Sequence, residues 1–148
     1  MNKFFTLIFI LVASFSFAQE QINWVSIEEA EKIQLENPDK PMFIDVYTDW
    51  CGWCKKMDKS TFVDEEVVAH ITNNYIPVKF DAEYTKDINF KNRTFKFVKV
   101  GNRGFHQLAA VMLQGQLSFP SYLVLNSEGV VTHQIKGYVE ANDLLNQL

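Results

Sequence analysis

The stretch "PMFIDVYTDWCGWCKKMDK", Pro41 to Lys59, contains both cysteines of the chain, Cys51 and Cys54. Its first half, Pro41 to Thr48, is β-branched and aromatic, with little alternation apart from Asp45. Such a run suits a central strand covered on both faces. The cysteines follow directly, at the expected start of a helix running through Lys59. The pair admits three readings: a redox couple, half of a metal site, or a local disulfide staple. A zinc site needs four ligands, yet only His70, His106 and His133 remain, widely scattered. Closing so short a loop removes little chain entropy, which weakens the staple. A dithiol–disulfide couple is the chemistry favoured by the spacing.

At a helix N-terminus, a Cys51 thiolate faces unpaired backbone N–H groups and the positive end of the helix dipole. A lower pKa raises the thiolate fraction but makes each thiolate less nucleophilic, so helix placement tunes the redox potential more than the speed. Cys54, at i+3, faces Cys51 and can attack a mixed disulfide formed there. Gly52 permits close approach of a partner's backbone. Trp50 and Trp53 flank the pair with flat apolar surface, Trp53 expected exposed and Trp50 partly buried. Asp45 lies inside an apolar strand, where an unpaired carboxylate is costly.

Outward from this segment the chain alternates. Ser26 with Glu29 forms a capping box for a helix from Ser26 to Asn37, broken by "NPDKP". Asp64, backed by Glu65 and Glu66, caps a helix through Asn73. "YIPVKFDAE" is a second apolar strand, completing a βαβ unit whose active segment lies at a strand's carboxyl end. Residues 82–119 differ in kind: Lys86, Lys91, Arg93, Lys96, Lys99 and Arg103 stand against only Glu83 and Asp87. Within them, "INFKNRTFKFVKV" reads as a hairpin turning near Asn92, and "GFHQLAAVMLQG" as a short helix ended by Gly115. This basic segment is expected to be a solvated structural insertion, or else a docking surface for an acidic partner. His106 is read as a helix-start residue rather than a titrating functional group. "SYLVLNSEGVVTHQIKG" gives a strand, a turn and a strand, and "VEANDLLNQL" a closing helix.

With 148 residues the chain is one domain, long enough to bury roughly two-thirds of its unfolded surface. Residues 1–18 read as a signal peptide: Lys3, an apolar run from Phe4 to Ala13, and Ser16 and Ala18 as small residues before cleavage after Ala18. The run is shorter than the roughly 20 residues of a spanning helix. The domain is then 19–148, in a periplasmic or secreted location where disulfides form and persist. A formal net charge of −4 argues against nucleic acid as a partner.

The segment "DVYTDWCGWCK" resembles the active-site motif of the thioredoxin family, D-x-x-x-x-W-C-G-P-C-K, through Asp45, Trp50, Cys51, Gly52, Cys54 and Lys55. "SFPSYLVLNSEG" resembles the family's cis-proline loop, and "WCGWCKKMDKSTFVDEEV" is similar to exported thioredoxin-like proteins grouped with periplasmic disulfide-interchange domains. The resemblance implies an α/β thioredoxin-like fold: a central mixed sheet flanked by helices, with the basic hairpin-plus-helix insertion before the cis-Pro strand. It implies Cys51 as the attacking cysteine and Cys54 as the resolving one. Asp45 becomes the buried acid that moves the proton of Cys54, and Lys79 the lysine near it. Trp50, Gly52, Trp53, Phe119 and a cis Pro120 would contact substrate, Phe119 by backbone pairing with an extended chain. Trp53 departs from the family's proline at a position that strongly influences potential.

No metal or organic cofactor is implied. The implied partners are protein disulfide or dithiol substrates and a separate electron-exchange protein, at family level a membrane-borne transporter. Reduction of disulfides is the leading activity. The alternatives are an oxidase or isomerase, or a peptide-binding module whose disulfide does not turn over.

Overall fold

A computed structural model of the protein describes residues 20–148. The expected signal peptide and its cleavage point lie outside these residues. The chain runs through α1 (Ile27–Glu36), β1 (Met42–Tyr47), α2 (Gly52–Lys59), one 3-10 turn (Thr61–Val63), α3 (Glu65–Asn74) and β2 (Ile76–Asp81). It continues through β3 (Ile88–Phe90), β4 (Arg93–Phe95), β5 (Phe97–Val100), β6 (Arg103–His106), α4 (Gln107–Met112), β7 (Ser121–Leu125), β8 (Val131–Lys136) and α5 (Ala141–Leu145).

Four strands form the main sheet in the order β2-β1-β7-β8. β1 and β2 are parallel, whereas β7 runs antiparallel to β1 and β8 antiparallel to β7. β1 is central, and the alternation of its side chains divides the core in two. Met42, Ile44 and Val46 pack with α1, α4 and the β3–β4 hairpin, whereas Phe43 packs with α3, α5, Phe62 and Tyr122. Asp45 shares the Phe43 side of the strand and is buried there, with 1 % of its surface exposed. Its register partners are Lys79 on β2 and Tyr122 on β7.

The helix starts follow the caps legible in the chain. The Ser26 hydroxyl accepts from the Glu29 N–H at 3.2 Å. Asp64 Oδ1 accepts from the N–H groups of Glu66 and Val67 at 3.1 and 3.2 Å. These bonds satisfy donors that a helix leaves unpaired in its first turn.

Residues 82–119 depart from the expectation in two ways. The β3–β4 turn does fall at Lys91 and Asn92, both with positive φ (50° and 59°), the geometry of a tight two-residue hairpin. A second hairpin follows, however, with β5 pairing β6 from Phe97–His106 to Val100–Arg103. Gly104 to His106 therefore belong to a strand, and the helix begins only at Gln107. The segment is also no detached appendage: Ile88, Phe90, Phe95, Leu108, Ala109, Met112 and Leu113 are buried in the main core. His106 is fully buried, and its Nδ1 accepts from the Leu108 N–H at 3.3 Å while Nε2 meets the Lys86 carbonyl at 3.1 Å. Burial lowers its pKa, keeping the ring neutral in this capping role.

Candidate redox-active site

The site begins where β1 ends. Thr48 to Trp50 turn the chain, the Cys51 N–H bonding back to the Thr48 carbonyl at 3.1 Å. Cys51 is the N-cap of α2, and Cys54 sits one turn later. The two are joined in a disulfide, with Cα atoms 5.3 Å apart. The Cys54 N–H points at Cys51 Sγ (3.1 Å), so a first-turn donor of α2 lies against the sulfur where a thiolate charge would develop. Both cysteines are almost wholly buried. The approach to them passes over exposed neighbours: Trp50 is 53 % exposed and Trp53 57 %.

The exposure of Trp53 matches expectation, but that of Trp50 does not. Its indole stands on the surface because distant segments hold it there: Nε1 donates to Glu83 Oε1 at 3.0 Å, and the ring meets Phe119 edge-on at 6.0 Å. The Arg103 guanidinium lies over its face at 5.2 Å. Trp53 rests against Tyr138 at 5.5 Å, with the Lys56 ammonium over both rings. A Cβ on Gly52 would meet nothing within 4 Å, so that position is open to a partner rather than shaped by the chain itself.

Beneath α2 lies a charge cluster built on the buried Asp45. Lys79 Nζ sits 2.7 Å from Asp45 Oδ2 and also pairs with Asp58 Oδ1 on α2. The rings of Trp24, Tyr47 and Phe62 surround the ammonium at 5.2 to 5.7 Å. Lys79 thus ties the acid of β1 to the helix that carries the cysteines. Burial raises the Asp45 pKa from 3.8 to about 6 against the opposing pull of Lys79. Burial lowers the Lys79 pKa, but the two carboxylates outweigh it and the net shift is upward. Asp45 Oδ1 has no hydrogen-bond partner among the described residues. Asp58 was not singled out from sequence, although it lies four residues after Cys54, where a helix brings side chains onto one face.

Phe119 and Pro120 are joined by a cis peptide bond immediately before β7. Phe119 packs on Trp50, which places this loop beside the cysteines. Among the described residues no group of three or more His, Cys, Asp or Glu side chains is placed to hold a metal ion. His70, His106 and His133 sit on α3, β6 and β8.

Residues 14–130 match the family model Thioredox_DsbH, described as a protein of unknown function, DUF255. The chain belongs to this thioredoxin-like family.

Among curated relatives, it is 25 % identical over 126 residues to the thiol:disulfide interchange protein DsbD of Campylobacter jejuni. That alignment covers 85 % of this chain and 19 % of the relative. An uncharacterized Caenorhabditis elegans protein, B0495.5, is 25 % identical over 88 residues, which are 60 % of this chain and 12 % of that one. The chain thus spans a fifth or less of these relatives' lengths. Among solved structures, a proposed disulphide-isomerase from Bacteroides thetaiotaomicron superposes with a TM-score of 0.59 at 26 % identity, covering 86 % of this chain and 89 % of that one. A thioredoxin from Thermus thermophilus superposes at 0.62 with 11 % identity, covering 85 % and 83 %, and shows the shared fold alone. The thioredoxin-like α/β fold read from the motif is the fold of the family.

Proposed function

We propose that this family member is an exported thiol–disulfide oxidoreductase that reduces or exchanges disulfides in other proteins. The observation that carries the reading is the Cys51–Cys54 disulfide at the start of α2, with the buried acid Asp45, its pKa raised to about 6, tethered to the same helix through Lys79 and Asp58. In the dithiol form, the Cys51 thiolate attacks a substrate disulfide, forming a Cys51–substrate bond and releasing one substrate thiolate. Asp45 accepts the proton of Cys54. The Cys54 thiolate then attacks Cys51 Sγ, re-forming the internal disulfide and releasing the second substrate thiolate. The substrate gains two electrons and the enzyme loses two. An acid with a pKa of about 6 is ionised enough near neutrality to take that proton and weak enough to return it to solvent.

Trp50, Gly52 and Trp53 present an apolar, sterically open surface to the substrate, and Phe119 with Pro120 supplies backbone at the edge of β7 for an extended segment. The chain has no third cysteine, so the dithiol is regenerated by a separate electron-exchange protein, in our reading a membrane-borne one. Export rests on residues 1–18, read as a signal peptide. Direction follows the potential of the couple: near about −270 mV it reduces, near about −120 mV it accepts electrons from substrates.

Turnover of insulin disulfides with dithiothreitol as reductant tests the activity. Wild type accelerates insulin precipitation and Cys51→Ser does not. Equal rates with and without wild-type protein overturn the proposal, and peptide binding retained by both forms points instead to a non-turnover binding module.

A further inference from the structure

The hairpin β5–β6 was not foreseen from sequence, and it reaches Trp50, the residue before Cys51. Its residue Arg103 is exposed and lies over the face of Trp50, which directly precedes Cys51. The nearby carboxylate of Glu83 is occupied by the Trp50 indole N–H. Among the described residues no carboxylate pairs with Arg103, since the ion pairs there use only Lys79 and Lys96. Stacking on an indole is a preferred setting for a guanidinium, and its planar N–H fork is built for two-point bonding to carboxylates.

The surroundings add to this. Lys99 is exposed on the same hairpin, and Val100 at its tip is 59 % exposed. Across the disulfide, Lys56 covers Trp53 and Tyr138 in the same fashion. Each tryptophan flanking the cysteines therefore carries a cation on its face, in a chain whose formal net charge is −4. Exposed tryptophan and arginine together are the residue types that dominate binding energy at protein interfaces. The acids on this side, Asp49 and Glu83, set a local counter-field, so the preference should be moderate.

We infer that Arg103 is a specificity-determining residue: it selects disulfides whose flanking residues carry carboxylates, an acidic peptide segment laid across Trp50 toward the Phe119–Pro120 loop. The inference rests on the oxidoreductase reading above and leaves its thiol chemistry unchanged. Position matters as much as charge. Gly104 keeps Arg103 against the sheet of the hairpin, because the Phe97 ring and the Val98 carbonyl oxygen occupy the space a side chain would need.

The test uses three synthetic peptides, each with one internal disulfide flanked by Glu, Gln or Lys, reduced by the full mature protein with dithiothreitol as recycler. For wild type, kcat/KM for the Glu peptide should exceed that for the Lys peptide by about tenfold at low salt, the scale of one or two partly exposed charge contacts. Arg103→Glu should bring that ratio to unity or below. Raising ionic strength should also compress the wild-type ratio, which tests the inference without any variant. Equal wild-type rates on all three peptides, or a preference unaltered in Arg103→Glu, overturns the role of Arg103 alone. Failure to reduce any peptide overturns the oxidoreductase reading, and this inference with it.

Discussion

Replacing Asp45 with asparagine should stabilise the protein at neutral pH, and the gain should disappear in acid. The carboxyl has a pKa of about 6 in the folded chain and 3.8 when unperturbed. Well below pH 4 both states hold the proton, and the group contributes nothing. Between about pH 4 and 6 the unfolded chain releases its proton first, so the native state binds more protons and loses stability as pH rises. Above pH 7 the loss is complete. At 1.36 kcal/mol per pKa unit it amounts to about 3 kcal/mol, a figure that already includes the favourable pull of Lys79. Asparagine mimics the neutral acid and escapes the cost. Urea unfolding of the oxidised protein, with a slope of about 2 kcal/mol per molar, should place the Asp45→Asn midpoint more than 1 M above wild type at pH 7.5. At pH 4 the difference should shrink to about 0.3 M, where the unfolded chain has released its proton only in part. A variant no more stable at pH 7.5 than at pH 4, relative to wild type, would refute a buried carboxylate held at a cost. A destabilising acid held beneath α2 is what use in proton transfer would retain.

One further perturbation probes the frame around that acid, and another the β5–β6 hairpin. Lys79→Met removes the cation that both Asp45 and Asp58 face, so the Asp45 carboxyl should titrate above 6, as read by carbon NMR of its side chain; an unchanged or lower value would mean that Lys79 does not act on Asp45. Gly104→Ala places a methyl group into the Phe97 ring and 2.5 Å from the Val98 carbonyl oxygen. It should cost about 1 to 3 kcal/mol in urea unfolding and lessen the peptide selectivity that depends on Arg103, whereas wild-type stability and selectivity would show that the β5–β6 packing is irrelevant.

The elements nearest the cysteines were legible because their signals are local. Ser26 and Asp64 announce their helices through hydrogen bonds that span three residues. The apolar run from Met42 to Val46, interrupted only by Asp45, marks a strand covered on both sides. Asp45 stood out by contrast with that run. Lys79 came from the family resemblance, and the structure then set it against Asp45.

What was missed depends on contacts between distant residues. The exposure of Trp50 is decided by Glu83, Arg103 and Phe119, each more than thirty positions away. The second hairpin had a signal, Gly101-Asn102 between two short β-prone runs, and Gly101 indeed adopts a φ of 60°. The stretch from Phe97 to Phe105 is short enough, however, that the helical pattern beginning at Gln107 masked it. Asp58 looked like one more polar residue on a helix rich in charge. Only the position of Lys79 between β1 and α2 gives it a part in the site.

In the proposed reaction Cys51 is the attacking sulfur and Cys54 the resolving one. Reacting reduced Cys54→Ser with a disulfide-containing peptide and locating the adduct by mass spectrometry tests it directly. A stable mixed disulfide should form on Cys51 and be released in wild type by Cys54. No trapped adduct on Cys51, or an equally stable adduct on Cys51 of wild type, would contradict it.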